Sequence, residues 1–163
     1  MILLPYRAGM LRPETTAALR SCRGHVLPVE CADPYDYHAA VRTLWRYPGR
    51  LLIVEQDIVP TVEMIEHLKW CQHPACTVPY RLARGELSLW DARGGLSWLD
   101  AMPASAPGSG LGCVALSVDP SIPPPDRVAW DWLAESVSAR LSEYGVSWHV
   151  HPGTVEHLHV VTA

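Results

Sequence analysis

The stretch Leu51 to Pro60, LLIVEQDIVP, decides how the rest of the chain is read. Leu51 to Val54 is apolar throughout and too short for a helix, the pattern of a strand buried on both faces. Glu55-Gln56-Asp57 follows at once, and Pro60 suits the first turn of a helix. A strand buried on both faces belongs to a sheet covered by helices. Two carboxylates at its carboxyl end then stand on the rim where such sheets hold ligands.

The flanking sequence keeps this rhythm. Residues 2–4 are an apolar strand running into Pro5-Tyr6-Arg7. A helix is predicted over 13–23, with Pro13 in its first turn and Gly24 at its exit. A second strand covers 26–29. Asp33-Pro34 then reads as an N-cap and first-turn proline, with Tyr37, Ala40, Val41, Leu44 and Trp45 at helical spacing. A third helix is predicted over 60–71, with Val62, Ile65 and Leu68 on one stripe. Residues 77–80 read as a strand. The middle, 84–112, is rich in Gly, Ser, Pro and Trp, and MPASAPGSGLG (102–112) reads as a mobile loop. A strand over 113–118 precedes a long amphipathic helix capped by Asp126 and stopped at Gly145. Extended pieces at 146–151 and 157–161 finish the chain. This alternation predicts one α/β domain, 1–163, with a mostly parallel sheet and helices on both faces.

Composition fits that reading. The 163 residues are 48% hydrophobic and 18% charged, which is globular rather than disordered. A net charge of −4 without a basic run argues against a nucleic-acid partner. No apolar stretch approaches the roughly 20 residues of a membrane span, and the N-terminus lacks a signal-peptide layout. The five cysteines, odd in number and scattered, read as reduced thiols of a cytoplasmic protein.

Three strand ends converge on the predicted rim: Pro5-Tyr6-Arg7, Glu30 to Asp33, and Glu55-Gln56-Asp57. If strand geometry continued, Glu55 and Asp57 would face the same side. Neighbouring carboxylates are stabilised by a divalent cation, and magnesium or manganese favours carboxylates together with phosphate oxygens. The plainer alternative is that Glu55 caps a loop and Asp57 caps the following helix. Arg7 suits a diphosphate and Tyr6 a stacked base. The tail WHVHPGTVEHLH carries His149, His151, His157 and His159, which are potential metal or phosphate contacts. Manganese takes a mixed carboxylate and imidazole shell more readily than magnesium. Asp131, between Trp130 and Trp132, suits a general base beside a sugar-stacking wall. Equally, it suits a helix-dipole acid with Trp132 packed inward. Tyr80-Arg81 and Trp90-Asp91 are further candidates for an acceptor cleft. Cys71, His73 and Cys76 offer three zinc donors within six residues but no fourth, and read as a helix end with free thiols.

On these residues the chain resembles the GT-A-type glycosyltransferases, the nucleotide-diphospho-sugar transferase superfamily. LLPYR (3–7) resembles the first strand and Pro-aromatic-Arg turn of the galactosyltransferase-like branch, where the turn contacts the nucleotide. LLIVEQDIVP is similar to the strand and DxD element, with Glu55 where the family more often has Asp. The late histidines are similar in place to the C-terminal histidine that often completes the metal shell. Short phage-encoded members also resemble this chain in size and in their His-rich ends. The resemblance implies a Rossmann-like GT-A fold, with 1–70 as the nucleotide-sugar half and 71–163 as the acceptor-side half. It implies a Mn2+ or Mg2+ cofactor held by Asp57, with Glu55 on the metal or the ribose and His151, His157 or His159 completing the shell. Pro5, Tyr6 and Arg7 would hold a UDP- or GDP-sugar, with Tyr35 and Tyr37 near the base and Asp131 as the catalytic base toward an unidentified acceptor. The rival expectations are another metal-dependent nucleotidyltransferase or hydrolase, or an inactive nucleotide-sugar-binding protein.

Overall fold

The computed structural model describes residues 1–90 and 102–158, together with the backbone of Leu96–Ser97. The chain begins with β1 (Ile2–Tyr6), α1 (Pro13–Arg20), β2 (Val26–Glu30), α2 (Asp36–Leu44) and β3 (Leu51–Val54). Then come β4 (Ile58–Val59), α3 (Val62–Trp70), β5 (Ala75–Thr77), β6 (Leu87–Trp90), β7 (Leu96–Ser97), β8 (Ser105–Ala106), β9 (Gly108–Ser109) and β10 (Cys113–Leu116). A 3-10 turn (Trp130–Trp132) leads into α4 (Leu133–Glu143), and β11 (Trp148–Val150) and β12 (Glu156–His157) follow.

Seven strands form the main sheet in the order β2-β1-β3-β10-β5-β11-β8. β1 pairs in parallel with both β2 and β3. β10 runs antiparallel between β3 and β5, β11 is parallel to β5, and β8 is antiparallel to β11. Five of the seven strands therefore point one way, with β10 and β8 opposed. The sheet is mixed, and its two halves share one ladder through the β3–β10 pair. Because β2 and β3 lie on opposite sides of β1, the chain reverses its winding there, which opens a crevice at the carboxyl ends of β1 and β3.

Strand alternation splits the core into two layers. Ile2, Leu4, Leu52 and Val54 face Leu19 of α1 and Ile65 and Leu68 of α3. Leu3, Leu51 and Ile53 face the other way, toward Tyr37 and Val41 of α2 and Leu133, Val137 and Leu141 of α4. All four β3 side chains are buried, which is why LLIV shows no polar alternation.

Local signals shift some boundaries. Thr61, not Asp57, caps α3, its hydroxyl accepting from Met64 N–H at 3.2 Å. Asp33 does not cap a helix directly: its carboxylate accepts from Tyr35 N–H at 2.7 Å, and α2 starts at Asp36. Asp126 pairs with Arg140 at 2.9 Å instead of capping, and α4 begins only after the 3-10 turn. Gly145, with φ +73, ends α4 as predicted. Residues 102–112 are not a mobile loop. They hold β8 and β9, and Gly110 and Gly112 lie so close to Tyr80 that an added Cβ would sit 2.5 Å from its ring or hydroxyl. Glycine here permits close approach, a use the loop reading overlooked. The thiols are not all free either: Cys71 and Cys76 are disulfide-bonded, because the tight connection from α3 to β5 brings them together. Cys22, Cys31 and Cys113 are free and buried. No helix among the described residues is long and apolar enough to cross a membrane.

Candidate functional site

β3 stops at Val54 because the chain turns there. Ile58 N–H donates to the Glu55 carbonyl at 3.1 Å, and Glu55 N–H donates to Gly112 O at 3.0 Å. The two acids therefore sit on a turn, and strand alternation does not govern where they point. Gln56, buried between them, fastens the site. Its side-chain oxygen accepts from Arg7 N–H at 2.7 Å, and its carbonyl accepts from Arg12 N–H at 3.0 Å. It thus ties the exit of β1 to the exit of β3. In the sequence, the only signal that Gln56 carries is its place between two acids.

The turn is paired with the tail of the chain. β4 and β12 run antiparallel with His157 opposite Ile58, and Leu158 N–H donates to Asp57 O at 2.8 Å. This register sets His157 Nε2 3.3 Å from Asp57 Oδ2, with both side chains mostly buried. His157 Nδ1 lies 3.3 Å from Arg81 O, which orients the ring, and Tyr80 packs against it at 4.8 Å. Burial alone would lower the His157 pKa, but the hydrogen bond and charge of Asp57 outweigh it and raise the value. The two residues are a hundred positions apart in sequence, and the β4–β12 pairing brings them together.

Glu55 is the most perturbed acid of the rim. Burial first, and the charge of Asp57 second, push its carboxyl up to about 7. Two hydroxyls face it from inside the fold. Tyr80 feels its charge and that of Asp57, and burial pushes its pKa well up. Tyr37 is a core residue, 1% exposed, so its ring is not open to a base, near which the family resemblance would put it. Its hydroxyl interacts with Glu55, yet among the described residues no atom meets it with good hydrogen-bond geometry, so the contact is weak and poorly aligned. The causes are packing ones: α2 turns Tyr37 inward at the spacing of Val41, and only its oxygen reaches the rim.

Beside the acids lies an open cleft of about 420 Å³, lined by Arg7, Ala8, residues 31–34, Trp130 and Asp131. It occupies the carboxyl ends of β1 and β2 and is of ligand size. Arg7 Nη2 meets Asp131 Oδ1 at 3.1 Å, and its guanidinium lies 4.9 Å from the centre of the Trp130 ring. Both charged groups remain substantially exposed, so the pair can exchange for a ligand at little cost. Trp130 rests on Tyr37 at 4.5 Å. Trp132 does not pack inward and is 64% exposed. Tyr6 donates to Glu30 at 3.3 Å. Pro5 is buried opposite Val29, past the β1–β3 ladder where a missing N–H costs nothing. Tyr35 caps α2 and stacks under Arg127 at 4.3 Å.

His151 is not part of this site. It follows β11 and joins a second cluster, T-shaped to His149 at 5.0 Å and stacked over His67 at 6.0 Å, while His149 stacks on His73 at 4.1 Å. Period two along β11 sends His149 and His151 to one face, and that face meets the end of α3. Burial and the neighbouring His73 lower the pKa of His149; burial, His149 and His67 lower that of His151. Asp91 and His159 lie outside the described residues. Among the described residues, Glu55, Asp57 and His157 do not close to mutual ligand spacing; Cys71, His149 and His151 do, with donor atoms within 4.8 Å of one another.

Fold and rim together define a single α/β domain with a mixed seven-stranded sheet, which carries two acids and an imidazole at the exit of β3 and a cleft lined by Arg7 and Asp131 at the exits of β1 and β2. No protein-family model matches the chain. No curated protein matches it. Among solved structures, the crystal structure of A197 from STIV matches with a TM-score of 0.59, over 97% of this chain and 85% of that one, at 12% identity. At that identity the likeness establishes a shared fold.

Proposed function

We propose that this protein is a metal-dependent glycosyltransferase that moves a sugar from a UDP- or GDP-sugar to an acceptor hydroxyl. One observation carries the reading. The cleft of Arg7 and Asp131, at the carboxyl ends of β1 and β2, is tied to the turn that carries Glu55 and Asp57 at the end of β3 by the hydrogen bond from Arg7 N–H to the Gln56 side chain. A diphosphate would take Arg7 from Asp131, since guanidinium prefers the more highly charged partner. That exchange would release Asp131 to accept a proton from the acceptor hydroxyl. The exposed Trp132 would supply an apolar face to a sugar ring.

Two carboxylates and an imidazole are a donor set that Mn2+ or Mg2+ would accept, once side-chain rotation closes their present spacing. Burial first, and the charge of Asp57 second, hold the Glu55 proton up to about 7, and a cation beside the two acids would offset both effects. Asp57 and His157 would be its first ligands, with Glu55 shifting toward it, and an imidazole among carboxylates favours manganese. When bound, the ion would neutralise charge developing on the departing diphosphate.

Calorimetry with UDP- and GDP-sugars in the presence of Mn2+ tests the proposal. Binding is expected for the wild type and at least about tenfold weaker binding for Asp57→Ala. An absence of binding, or equal binding by the variant, would overturn it. Glu55, poised near neutrality, favours a second reading as the base of a metal-dependent hydrolase or nucleotidyltransferase. The products separate the two: a transferase releases nucleoside diphosphate only when acceptor is present.

A further inference from the structure

The cluster at the end of α3 belongs to none of this chemistry. Cys71 leaves α3, Cys76 sits in β5, and His149 lies directly opposite Cys76 in the parallel ladder. Cys71 Sγ and one ring nitrogen each of His149 and His151 already lie within 4.8 Å of one another. Cys76 Sγ is bonded to Cys71 Sγ, so it borders the same space. His151 Nε2 is buried and has no hydrogen-bond partner among the described residues. A buried, unpartnered imidazole nitrogen costs desolvation energy that a ligand would recover.

We propose that reduction of the Cys71–Cys76 disulfide opens a zinc site formed by Cys71, His149 and His151, with Cys76 as the fourth donor. Two thiolates and two imidazoles are a donor set zinc selects over magnesium or manganese. The step balances: a dithiol reductant gives two electrons and two protons to the S–S bond, and Zn2+ then displaces the thiol protons to solvent. Around tetrahedral zinc, donors stand roughly 3.3–3.8 Å apart, so modest side-chain rotations close the site from its present spacing. Outer partners are already in place. Arg50 donates to Cys76 Sγ at 3.4 Å and to His73 O at 2.8 Å, which favours the thiolate and holds the loop. His73 and His67 stack against the two ligand rings and fix their planes. In the disulfide form the sulfurs are spent on each other, so the site is open only when reduced. It ties the end of α3 to β5 and β11, and would make local stability depend on both redox state and zinc.

Zinc affinity is measured by competition with a chromogenic chelator, with and without a phosphine reductant, and Co2+ reports the ligands. The reduced wild type is expected to bind one Zn2+ at least about tenfold tighter than the disulfide form. Its Co2+ complex should show thiolate charge-transfer absorption and tetrahedral visible bands. His149→Ala and His151→Ala should each lose about tenfold or more in affinity. Asp57→Ala should change nothing, which separates this site from the rim. Cys76→Ser leaves Cys71 unpaired and should give the thiolate–cobalt band without reductant. Equal affinity in the two redox states, no charge-transfer band, or unchanged affinity in both histidine variants would overturn the proposal. The redox comparison uses the unmutated chain, so a variant that fails to fold does not leave the question open.

Discussion

At the scale of single residues, Glu55 sets the clearest expectation. Its folded pKa of about 7 lies above the ordinary 4.5, so the fold binds this proton more tightly than the unfolded chain does. The proton-linked stability is complete below pH 4.5, declines as pH rises, and is gone above about 7. Glu55→Gln removes the titration and mimics the protonated form. We expect little change in Tm at pH 4 and a gain at pH 8 of roughly 2 kcal/mol, or about 4–8 °C, by calorimetry. An equal effect at both pH values would refute the assignment. His157 has the same sign. The stabilisation from its pair with Asp57 is full below pH 6.5 and fades as pH climbs through the raised value, so His157→Ala should cost more at pH 6 than at pH 9. Asp131 makes a different prediction. Asp131→Asn frees Arg7 of its carboxylate, so the affinity for nucleoside diphosphate should rise a few-fold while transfer falls by about 10²–10⁴.

At the scale of elements, the segment 108–112 acts as a wall of the site. Gly108 admits Trp90, and Gly110 and Gly112 admit Tyr80, which in turn holds His157 against Asp57. An alanine at Gly110 or Gly112 would collide with a ring that is itself buried and cannot move freely. Either substitution should cost about 2–3 kcal/mol in urea unfolding and weaken Mn2+ binding as Tyr80 shifts. The β4–β12 pair is the other decisive element. It is only two residues long on each side, yet it delivers His157 across the chain. Neither element announced itself. Residues 102–112 have the Gly, Ser and Pro content of a loop because close packing and turn formation call for the same small residues.

At the scale of the molecule, the proposed metal binding would be linked to folding. A cation held by the folded rim would stabilise the fold by about 2.7 kcal/mol at a hundredfold excess over Kd. Thermal scans with Mn2+ should therefore show Tm raised by about 5–10 °C in the wild type. The gain should vanish in Asp57→Ala and shrink toward pH 5, where protons occupy Glu55 and His157. The core supplies a control. Trp148 is fully buried, and its indole donates to Ser138 Oγ at 3.1 Å, joining β11 to α4. Trp148→Leu should cost about 3–5 kcal/mol and leave Mn2+ affinity unchanged, because β10 and β5 separate β11 from β3, whose exit carries the acids.

Much of this was legible in LLIVEQDIVP and its surroundings. The strand–helix alternation, the burial of LLIV on both faces and the rim position of Arg7, Glu55 and Asp57 follow from hydrophobic pattern and local turn chemistry, which act over a few residues. Period two along β11 likewise put His149 and His151 on one face. What the pattern left undecided was which distant segments meet. That His157, and not His151, reaches Asp57 depends on the β4–β12 register. That Tyr37 is a core residue, that Gln56 joins two strand ends, and that Cys71 and Cys76 bond beside two histidines depend on packing between elements far apart in sequence. Local sequence sets each segment's shape and inward face, whereas the partner across a sheet or cleft is chosen by the whole chain burying its apolar surface at once.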